Sequence, residues 1–248
     1  MSGVVLDVVV LSHRGAVRSA NEDAVGVGGW VLTAHEGRPL TLRVDPPAEG
    51  LLVAVADGMG GHRGGAEASR AALAVLGAAG DDLPDAVAAA AEALRTRAAA
   101  DPGLEGMGST VVGVRVHDDG SATFLNVGDS RAYRVVEGYL GQVSVDDRPP
   151  VVTAATRGVV TQHLGGQRVL ALDPHLHEAR LVPGDRVLLC SDGLHDMVGD
   201  DVITGHLRRP AVEAATALVA AALEAGGDDN VTVVVVDVRG GDAGGRDG

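Results

Sequence analysis

The stretch that most constrains the fold is residues 51–76, where an apolar segment turns at a cluster of glycines into an alanine-rich segment. The apolar residues 51–56 predict a buried strand, and residues 65–79 predict a helix. Asp57 stands where the strand ends, and His62 follows five residues later. A strand-to-helix corner that combines an acid, glycines and an imidazole is the first candidate for a ligand site.

Glycine-rich corners of this kind often hold phosphates through backbone N–H groups, but the two common nucleotide motifs do not fit. The GxxxxGK[ST] loop requires a lysine, and the chain contains none. The GxGxxG pattern fails because the segment that begins at Gly58 ends in Arg63 instead of glycine. The glycines therefore serve a ligand other than a nucleotide.

The rest of the chain shows many strand patterns without regular alternation of strands and helices. Strand patterns occupy five parts of it: residues 4–12, 51–56, 111–136, 178–190 and 231–238. Besides the helix at the corner, helices are predicted for residues 84–100 and 210–225. Residues 30–50 are predicted as a hairpin excursion closed by two prolines. This mixture predicts an α+β sandwich of sheets with outer helices.

Charge and composition exclude several classes of function. The 248 residues carry a net charge of −14, whereas a nucleic-acid binder needs a basic stripe for the phosphates. The longest apolar run is shorter than the about 20 residues that cross a bilayer, and no signal peptide is evident. Cys190 is the only cysteine, so no intrachain disulfide can form. We therefore expect a cytoplasmic protein that binds neither nucleic acid nor membranes.

Acidic residues recur at the ends of the predicted strands: Glu22, Asp23, Asp57, Asp129, Asp192 and Asp229. A single aspartate at a turn usually does no more than stabilise the turn. Several carboxylates at neighbouring strand ends would repel one another unless a cation lay between them. Mg²⁺ and Mn²⁺ prefer such oxygen ligands, and Gly58 would let its own carbonyl approach the ion. The pattern therefore predicts a divalent-metal site.

Six motifs resemble one family, the metal-dependent protein phosphatases of the PP2C (PPM) type, in its bacterial form. They follow the family's order over residues 7–238 and read SHRGAVRSANEDA, VAVADGMGGHRGG, GSTVVG, FLNVGDSRAY, LLCSDGLHD and GDDNVTVVVV. The resemblance implies a four-layer α/β/β/α sandwich, in which two antiparallel sheets are flanked by helices and hold two Mn²⁺ or Mg²⁺ ions between them. It implies a phosphatase domain at residues 1–238, with a shortened flap at 141–166, and a disordered tail at 239–248.

The resemblance also implies roles for the acidic residues, matched motif by motif. Asp57 would bridge the two ions, and Asp192 and Asp229 would complete the ligands of one of them. Glu22 and the Gly58 carbonyl would hold the other ion. A hydroxide held by both ions would be the nucleophile. Four residues would support these ligands from behind: Asp23, Thr110, Asp196 and Asn230.

Two residues would act on the substrate. Arg18 resembles the family's phosphate clamp, and a planar guanidinium can bind two phosphate oxygens at once. His62 resembles the family's proposed general acid, which protonates the leaving seryl or threonyl oxygen. The alternative for His62 is a histidine that only orders water.

The sequence departs from the family in two places. His195 stands where the family often has tryptophan, a change in packing beside the ions. The flap lacks the family's DHS triplet and helical middle, so we expect it to make few packed contacts, to be mobile and to leave the site open, with weak selectivity for peptide sequence. Asp129 and Asp192 match positions at which bacterial members bind a third, weaker ion, and the short flap would leave that ion to these two residues alone.

The resemblance implies that the protein hydrolyses phosphoserine and phosphothreonine in proteins, acts as a monomer and opposes a bacterial Ser/Thr kinase. Two alternatives remain open: a hydrolase of small phosphomonoesters with the same fold, and a phosphatase-like binding module without activity. A degenerate relative usually loses one of the acids or the phosphate arginine. All of these residues are present, which favours an active enzyme.

Overall fold

The computed structural model describes residues 3–33, 37–151, 156, 158–166 and 172–241, without the side chain of His62. Within these residues, two antiparallel sheets pack face to face and carry helices on their outer faces. Three separate apolar clusters fill the three spaces between the four layers. The predicted α/β/β/α sandwich is confirmed.

The strands described are, in chain order, β1 (Val4–His13), β2 (Asp23–Val27), β3 (Trp30–Thr33), β4 (Leu40–Val44), β5 (Leu51–Met59), β6 (Gly108–Ser109), β7 (Val111–Val116), β8 (Ser121–Val127), β9 (Arg131–Val136), β10 (Tyr139–Gln142), β11 (Leu164–Gly165), β12 (His175–Arg180), β13 (Arg186–Cys190) and β14 (Val231–Gly240). The first sheet has the order β10-β9-β13-β14-β1-β4. The second has the order β3-β2-β5-β7-β8-β12, and the short strand β6 pairs with the last residues of β5 and carries β11 on its other side.

The helices described are α1 (His62–Ala78), α2 (Leu83–Ala100), α3 (Asp192–His195), α4 (Asp200–His206) and α5 (Ala211–Glu224), with a 3₁₀ turn at Pro102–Leu104. Helices α1 and α2 cover the second sheet, and α4 and α5 cover the first. The Asp82 carboxylate caps α2 by accepting a hydrogen bond from the backbone N–H of Asp85. In the part of the chain that is described, none of the helices has the length and apolarity needed to span a membrane.

The two-residue period of the strands explains why the layers form. In β14, Val234 lies in the cluster between the sheets, whereas its neighbours Val233 and Val235 lie in the cluster under the helices. In β5, Val53 faces the other sheet and Ala54 faces α1. Strands that are apolar on both faces are therefore buried between two layers.

Two sequence predictions are wrong in detail. Residues 30–50 do not form a hairpin, because β3 pairs with β2 in the second sheet and β4 pairs with β1 in the first. The chain therefore passes from one sheet to the other; residues 34–36 lie outside the described residues. The tail does not begin at residue 239, because Arg239 and Gly240 still pair with Val5 and Val4. Residues 242–248 lie outside the described part.

The first part of the flap, residues 143–148, is anchored by polar contacts. The backbone of Val145 both donates to and accepts from the Asn126 side chain. Asp147 is buried and accepts hydrogen bonds from the Gly128 N–H and the Gln162 amide, and His175 Nε2 lies 2.9 Å from the same carboxylate. The expectation of few contacts is wrong here, because hydrogen bonds replace the missing apolar contacts. Residues 152–155 and 157 of the flap lie outside the described residues.

Candidate active site

One end of the sandwich gathers the strand ends that carry the predicted ligands. Asp57 and Gly58 lie near the end of β5 in the second sheet, whereas Asp192 directly follows Ser191 at the end of β13 in the first. Asp229 lies two residues before β14. A cleft of about 280 Å³ opens between the sheets at this end, and its walls include Glu22, Asp57, Gly58, Asp129, Asp192 and Asp229. The fold therefore brings together the six predicted metal ligands.

The acids of the cleft destabilise one another. Asp23 and Asp57 are direct cross-strand partners in β2 and β5, and like charges in this position are unfavourable. Burial and then the charges of Asp23, Asp192 and Asp229 raise the pKa of Asp57 well above its usual value. Burial and neighbouring carboxylates likewise raise the pKa of Asp192 to about 8. Divalent cations would relieve this repulsion, so the electrostatics fit a metal centre.

Glu22 and Gly58 meet in a space that only glycine leaves open. A Cβ atom at Gly65 would overlap the Glu22 carboxylate and come within 2.8 Å of the Gly58 carbonyl oxygen. A Cβ atom at Gly58 would in turn overlap the backbone of Gly65. An acid and a backbone oxygen therefore converge here, and both are ligands that Mg²⁺ and Mn²⁺ prefer. Sequence reasoning missed the role of Gly65, although the repeated glycines at the start of α1 were the signal.

Asp192 offers a second sign that the residues fit a cation. Its Oδ1 atom is buried and has no hydrogen-bond partner among the described residues, which is costly for a carboxylate unless a cation binds there. Asp23 also holds a buried oxygen without such a partner, Oδ1. The donor set is therefore suited to ions that bind oxygen.

Arg18 pairs with one of the predicted ligands. In the conformation that the structure describes, no group of three acidic, histidine or cysteine side chains among the described residues lies close enough together to hold a metal ion. Arg18 Nη2 instead lies 2.6 Å from Asp229 Oδ2, and the two side chains are 54% and 34% exposed. Exposed ion pairs contribute at most about 1 kcal/mol. The pairing of Arg18 with Asp229 is therefore a weak one.

Asn230 holds the loop that carries Arg18 and Glu22. Its side-chain oxygen accepts a hydrogen bond of 2.7 Å from the Glu22 N–H. Its amide group donates to the carbonyl oxygens of Arg14 and Ala20 at 2.9 Å each. Three hydrogen bonds from one buried side chain therefore fix the path of residues 14–22 beside the cleft.

Thr110 fixes the backbone of Asp57. Its hydroxyl accepts a hydrogen bond of 3.2 Å from the Asp57 N–H and lies 2.7 Å from the Ser130 hydroxyl. Its own N–H donates to the Asp57 carbonyl oxygen, and Ser109 Oγ donates to the same oxygen. The position of the bridging candidate is thus set by contacts from the neighbouring strand.

Asp23 is oriented by hydroxyl groups that sequence reasoning did not single out. Ser191 and Thr232 donate hydrogen bonds to its Oδ2 atom at 2.8 and 2.6 Å. Ser12 lies 2.7 Å from the Thr232 hydroxyl. These residues lie at or next to the ends of β13, β14 and β1. The sequence feature that could have indicated these residues is a hydroxyl side chain at each of three neighbouring strand ends.

Asp196 and His195 lie beside Asp129, next to the cleft. His195 is fully buried, with Nε2 at 3.0 Å from the Asp129 carbonyl oxygen and Nδ1 at 3.3 Å from Asp196 Oδ1. Burial would raise the pKa of Asp196, but contacts with His195 and Arg148 hold it well below its usual value. His195 therefore supports Asp129 and Asp196 in place of the family's tryptophan.

His62 is the first residue of α1 and directly follows the glycine corner. Its side chain lies outside what the structure describes, so its role as a general acid stays a prediction. Cys190 is fully buried in β13, and burial raises the pKa of its thiol. A protonated, inaccessible thiol cannot act as a nucleophile.

Comparisons with known proteins identify the family of this chain. The family model described as Protein phosphatase 2C matches residues 41–225. The chain is 38% identical to the serine/threonine protein phosphatase PstP of Mycobacterium tuberculosis over 95% of its own length and 45% of that protein. It is 28% identical to the serine/threonine phosphatase Stp of Listeria welshimeri, over 91% of this chain and 93% of the relative. The chain thus spans about half the length of PstP and nearly all of the Listeria relative.

A solved structure gives the same result. The crystal structure of the PstP catalytic domain in complex with two manganese ions has a TM-score of 0.77 and 34% sequence identity to this chain, and the match covers 95% of this chain and 99% of that one. The matched family model covers residues 41–225, and the relatives match more than nine tenths of the chain. The chain belongs to the protein phosphatase 2C family.

Proposed function

We propose that the chain is a metal-dependent phosphatase that removes phosphate from phosphoserine and phosphothreonine side chains of proteins. The observation that carries this proposal is the convergence of Asp57, Asp192, Asp229, Glu22 and the Gly58 carbonyl in one cleft between the sheets. The relatives named above are serine/threonine phosphatases, which supports the proposal.

Two Mn²⁺ or Mg²⁺ ions are the proposed cofactors. Asp57, Asp192 and Asp229 would hold one ion, and Asp57, Glu22 and the Gly58 carbonyl would hold the other. When bound, the pair of ions supplies an activated water that can attack phosphorus and neutralises charge on the phosphate. The two manganese ions in the PstP structure support this assignment.

Arg18 would bind the phosphate group. It lies at the rim of the cleft and is partly exposed, so a substrate can reach it. With Asp229 holding a metal ion, the Arg18 guanidinium would be free to donate two hydrogen bonds to phosphate oxygens.

His62 would donate the proton to the leaving oxygen. The alkoxide of serine or threonine leaves poorly unless it is protonated as the P–O bond breaks. The position of His62 at the start of α1, next to the Asp57–Gly58 corner, supports this role. The cognate Ser/Thr kinase, the cytoplasmic location and the monomeric state stay predictions.

The test is hydrolysis of p-nitrophenyl phosphate and of a phosphothreonine peptide, each with Mn²⁺ and with EDTA. We expect Mn²⁺-dependent turnover of both substrates and restoration of activity when Mn²⁺ is added after EDTA. Turnover of the small ester alone would support a small phosphomonoester hydrolase. No turnover of either substrate with Mn²⁺ would support a binding module without activity.

A further inference from the structure

Arg148 extends from the flap and reaches three carboxylates. Its Nε atom lies 2.8 Å from Asp129 Oδ2. Its Nη1 and Nη2 atoms lie 2.8 and 3.0 Å from the two oxygens of Asp196. Nη2 is also 3.8 Å from Asp192 Oδ2. All three nitrogens of the guanidinium are therefore directed at acids beside the cleft.

The contact of Arg148 with Asp129 is largely buried, whereas its contact with Asp196 is more exposed, because the Asp196 side chain is 33% exposed. The Arg148 side chain is 16% exposed and that of Asp129 is 3% exposed, whereas Arg18 is 54% exposed. The preceding residue, Asp147, is anchored in the flap by the Gly128 N–H. Paired hydrogen bonds between a guanidinium and a carboxylate are among the strongest in proteins. Arg148 is thus a built part of the site, unlike the exposed pair at Arg18.

We propose that Arg148 is an internal cation that takes the place of a third divalent ion beside Asp129, Asp192 and Asp196. This inference rests on the proposed function, because it concerns the same metal-binding cleft. An arginine side chain stays protonated at every pH at which proteins fold, and a chelator cannot remove it. Its positive charge repels a metal ion from the acids that it binds.

Arg148 also acts as a positioning residue for Asp192. It approaches only the Oδ2 atom of that carboxylate, whereas the buried Oδ1 atom has no hydrogen-bond partner among the described residues. One oxygen of Asp192 therefore faces the fixed cation and the other remains for a metal ion. The protein needs two exchangeable ions, and the flap supplies the third positive charge.

The test counts the Mn²⁺ ions bound per chain by isothermal titration calorimetry and equilibrium dialysis in millimolar Mn²⁺. Wild-type protein is expected to bind two ions, and Arg148→Ser to bind three. Arg148→Lys keeps the charge and is expected to bind two. The matched control is Arg131→Gln, because Arg131 is partly buried and binds the flap residue Asp146 through paired hydrogen bonds but does not line the cleft; it is expected to bind two.

Three ions in the wild-type protein, or two in folded Arg148→Ser, would overturn the inference. Three ions in Arg131→Gln would also overturn it, because any loosening of the flap would then be sufficient. If Arg148→Ser does not fold, the number of ions bound by the wild-type protein and by Arg148→Lys still tests the inference, because three ions in either protein would overturn it. Fewer than two ions in the wild-type protein would contradict the proposed function itself, and the inference with it.

Discussion

The two ends of the cleft hold acidic side chains in different electrostatic surroundings. At the ligand end, formed by Glu22, Asp57, Gly58 and Asp229, Arg18 pairs with Asp229 at the exposed rim of the cleft. At the arginine end, formed by Asp129 and by Asp196 beside the cleft, the partly buried Arg148 binds both acids. If both proposals hold, a fixed cation serves where the charge is structural, whereas exchangeable ions serve where the chemistry takes place. Asp192 lies between the two ends.

The largest expected effect is a difference in activity between a variant at the ligand end and a variant at the arginine end. Asp57→Asn removes the negative charge that both ions would share, so hydrolysis should fall by about a thousandfold or more, some 4 kcal/mol at 1.36 kcal/mol per tenfold step. Asp129→Asn, at the arginine end, should cost about tenfold or less, because Asp196 still holds Arg148. The measurement is kcat on p-nitrophenyl phosphate in saturating Mn²⁺. Equal losses in the two variants would contradict the division of the cleft.

A second effect concerns the proton donor beside the ligand end. His62→Gln should slow a phosphoserine peptide by about 10²–10⁴-fold, the usual contribution of general acid catalysis. It should change p-nitrophenyl phosphate turnover far less, because nitrophenolate leaves without a proton. The matched control is His177→Gln on the exposed face of β12, which should leave both rates unchanged. Equal losses on the two substrates would reduce His62 to a structural residue.

A third effect tests the hydrogen bonds with which Asn230 holds the loop at the ligand end. Asn230→Ala removes the three hydrogen bonds that fix residues 14–22, so Mn²⁺ affinity should fall by about 10–100-fold, as is typical when a partner of a ligand is lost. Asn126→Ala, the control, loses a buried asparagine that anchors the flap and should leave the affinity nearly unchanged. Both affinities are measured by calorimetry. A larger loss in the control would show that the flap, not the loop, controls the ions.

The smallest effect is a pH dependence of stability. Without metal, in EDTA, the pKa is about 8 for Asp192 and about 6 for Asp23 in the folded protein. In the unfolded chain the pKa of an aspartate is about 4. Between these pH values the folded state therefore binds more protons than the unfolded state. Stability from these groups is therefore present at low pH and lost as pH rises towards 8, so Tm should fall by several degrees, at about 2–4 °C per kcal/mol.

Saturating Mn²⁺ provides the matched condition for that measurement. The ions replace the protons on the carboxylates, so the fall in Tm between pH 6 and pH 8.5 should disappear and Tm should be higher at pH 8.5 than in EDTA. A Tm in EDTA that rises over this interval would contradict the raised pKa values of Asp192 and Asp23.

The ligand end could be predicted from the sequence because its residues stand next to strand ends. Asp57 and Asp192 each follow an apolar run, and Asp229 precedes one, so the pattern of local strands already places them at or near strand ends. The family motifs then supplied their roles. The strands of the sandwich were predictable for a related reason, since β1, β5 and β14 contain nearly continuous apolar runs.

The arginine end could not be predicted, because its contacts join distant parts of the chain. Arg148 stands 19 residues from Asp129 and 48 from Asp196, in a flap with weak periodicity. The same limit explains the error at residues 30–50, where each strand was visible but its partner strand was not. Pairing depends on which sheet edge the chain reaches, and local sequence does not specify that edge.

The most direct test is the location of bound ions in crystals of the wild-type protein grown with Mn²⁺, by anomalous diffraction near the manganese absorption edge. Two anomalous peaks are expected at the ligand end, both within coordinating distance of Asp57, with no peak between Asp129 and Asp196, where Arg148 should remain bound. A peak beside Asp129 with Arg148 displaced, or no peak near Asp57, would contradict the division of the cleft into exchangeable and fixed cations.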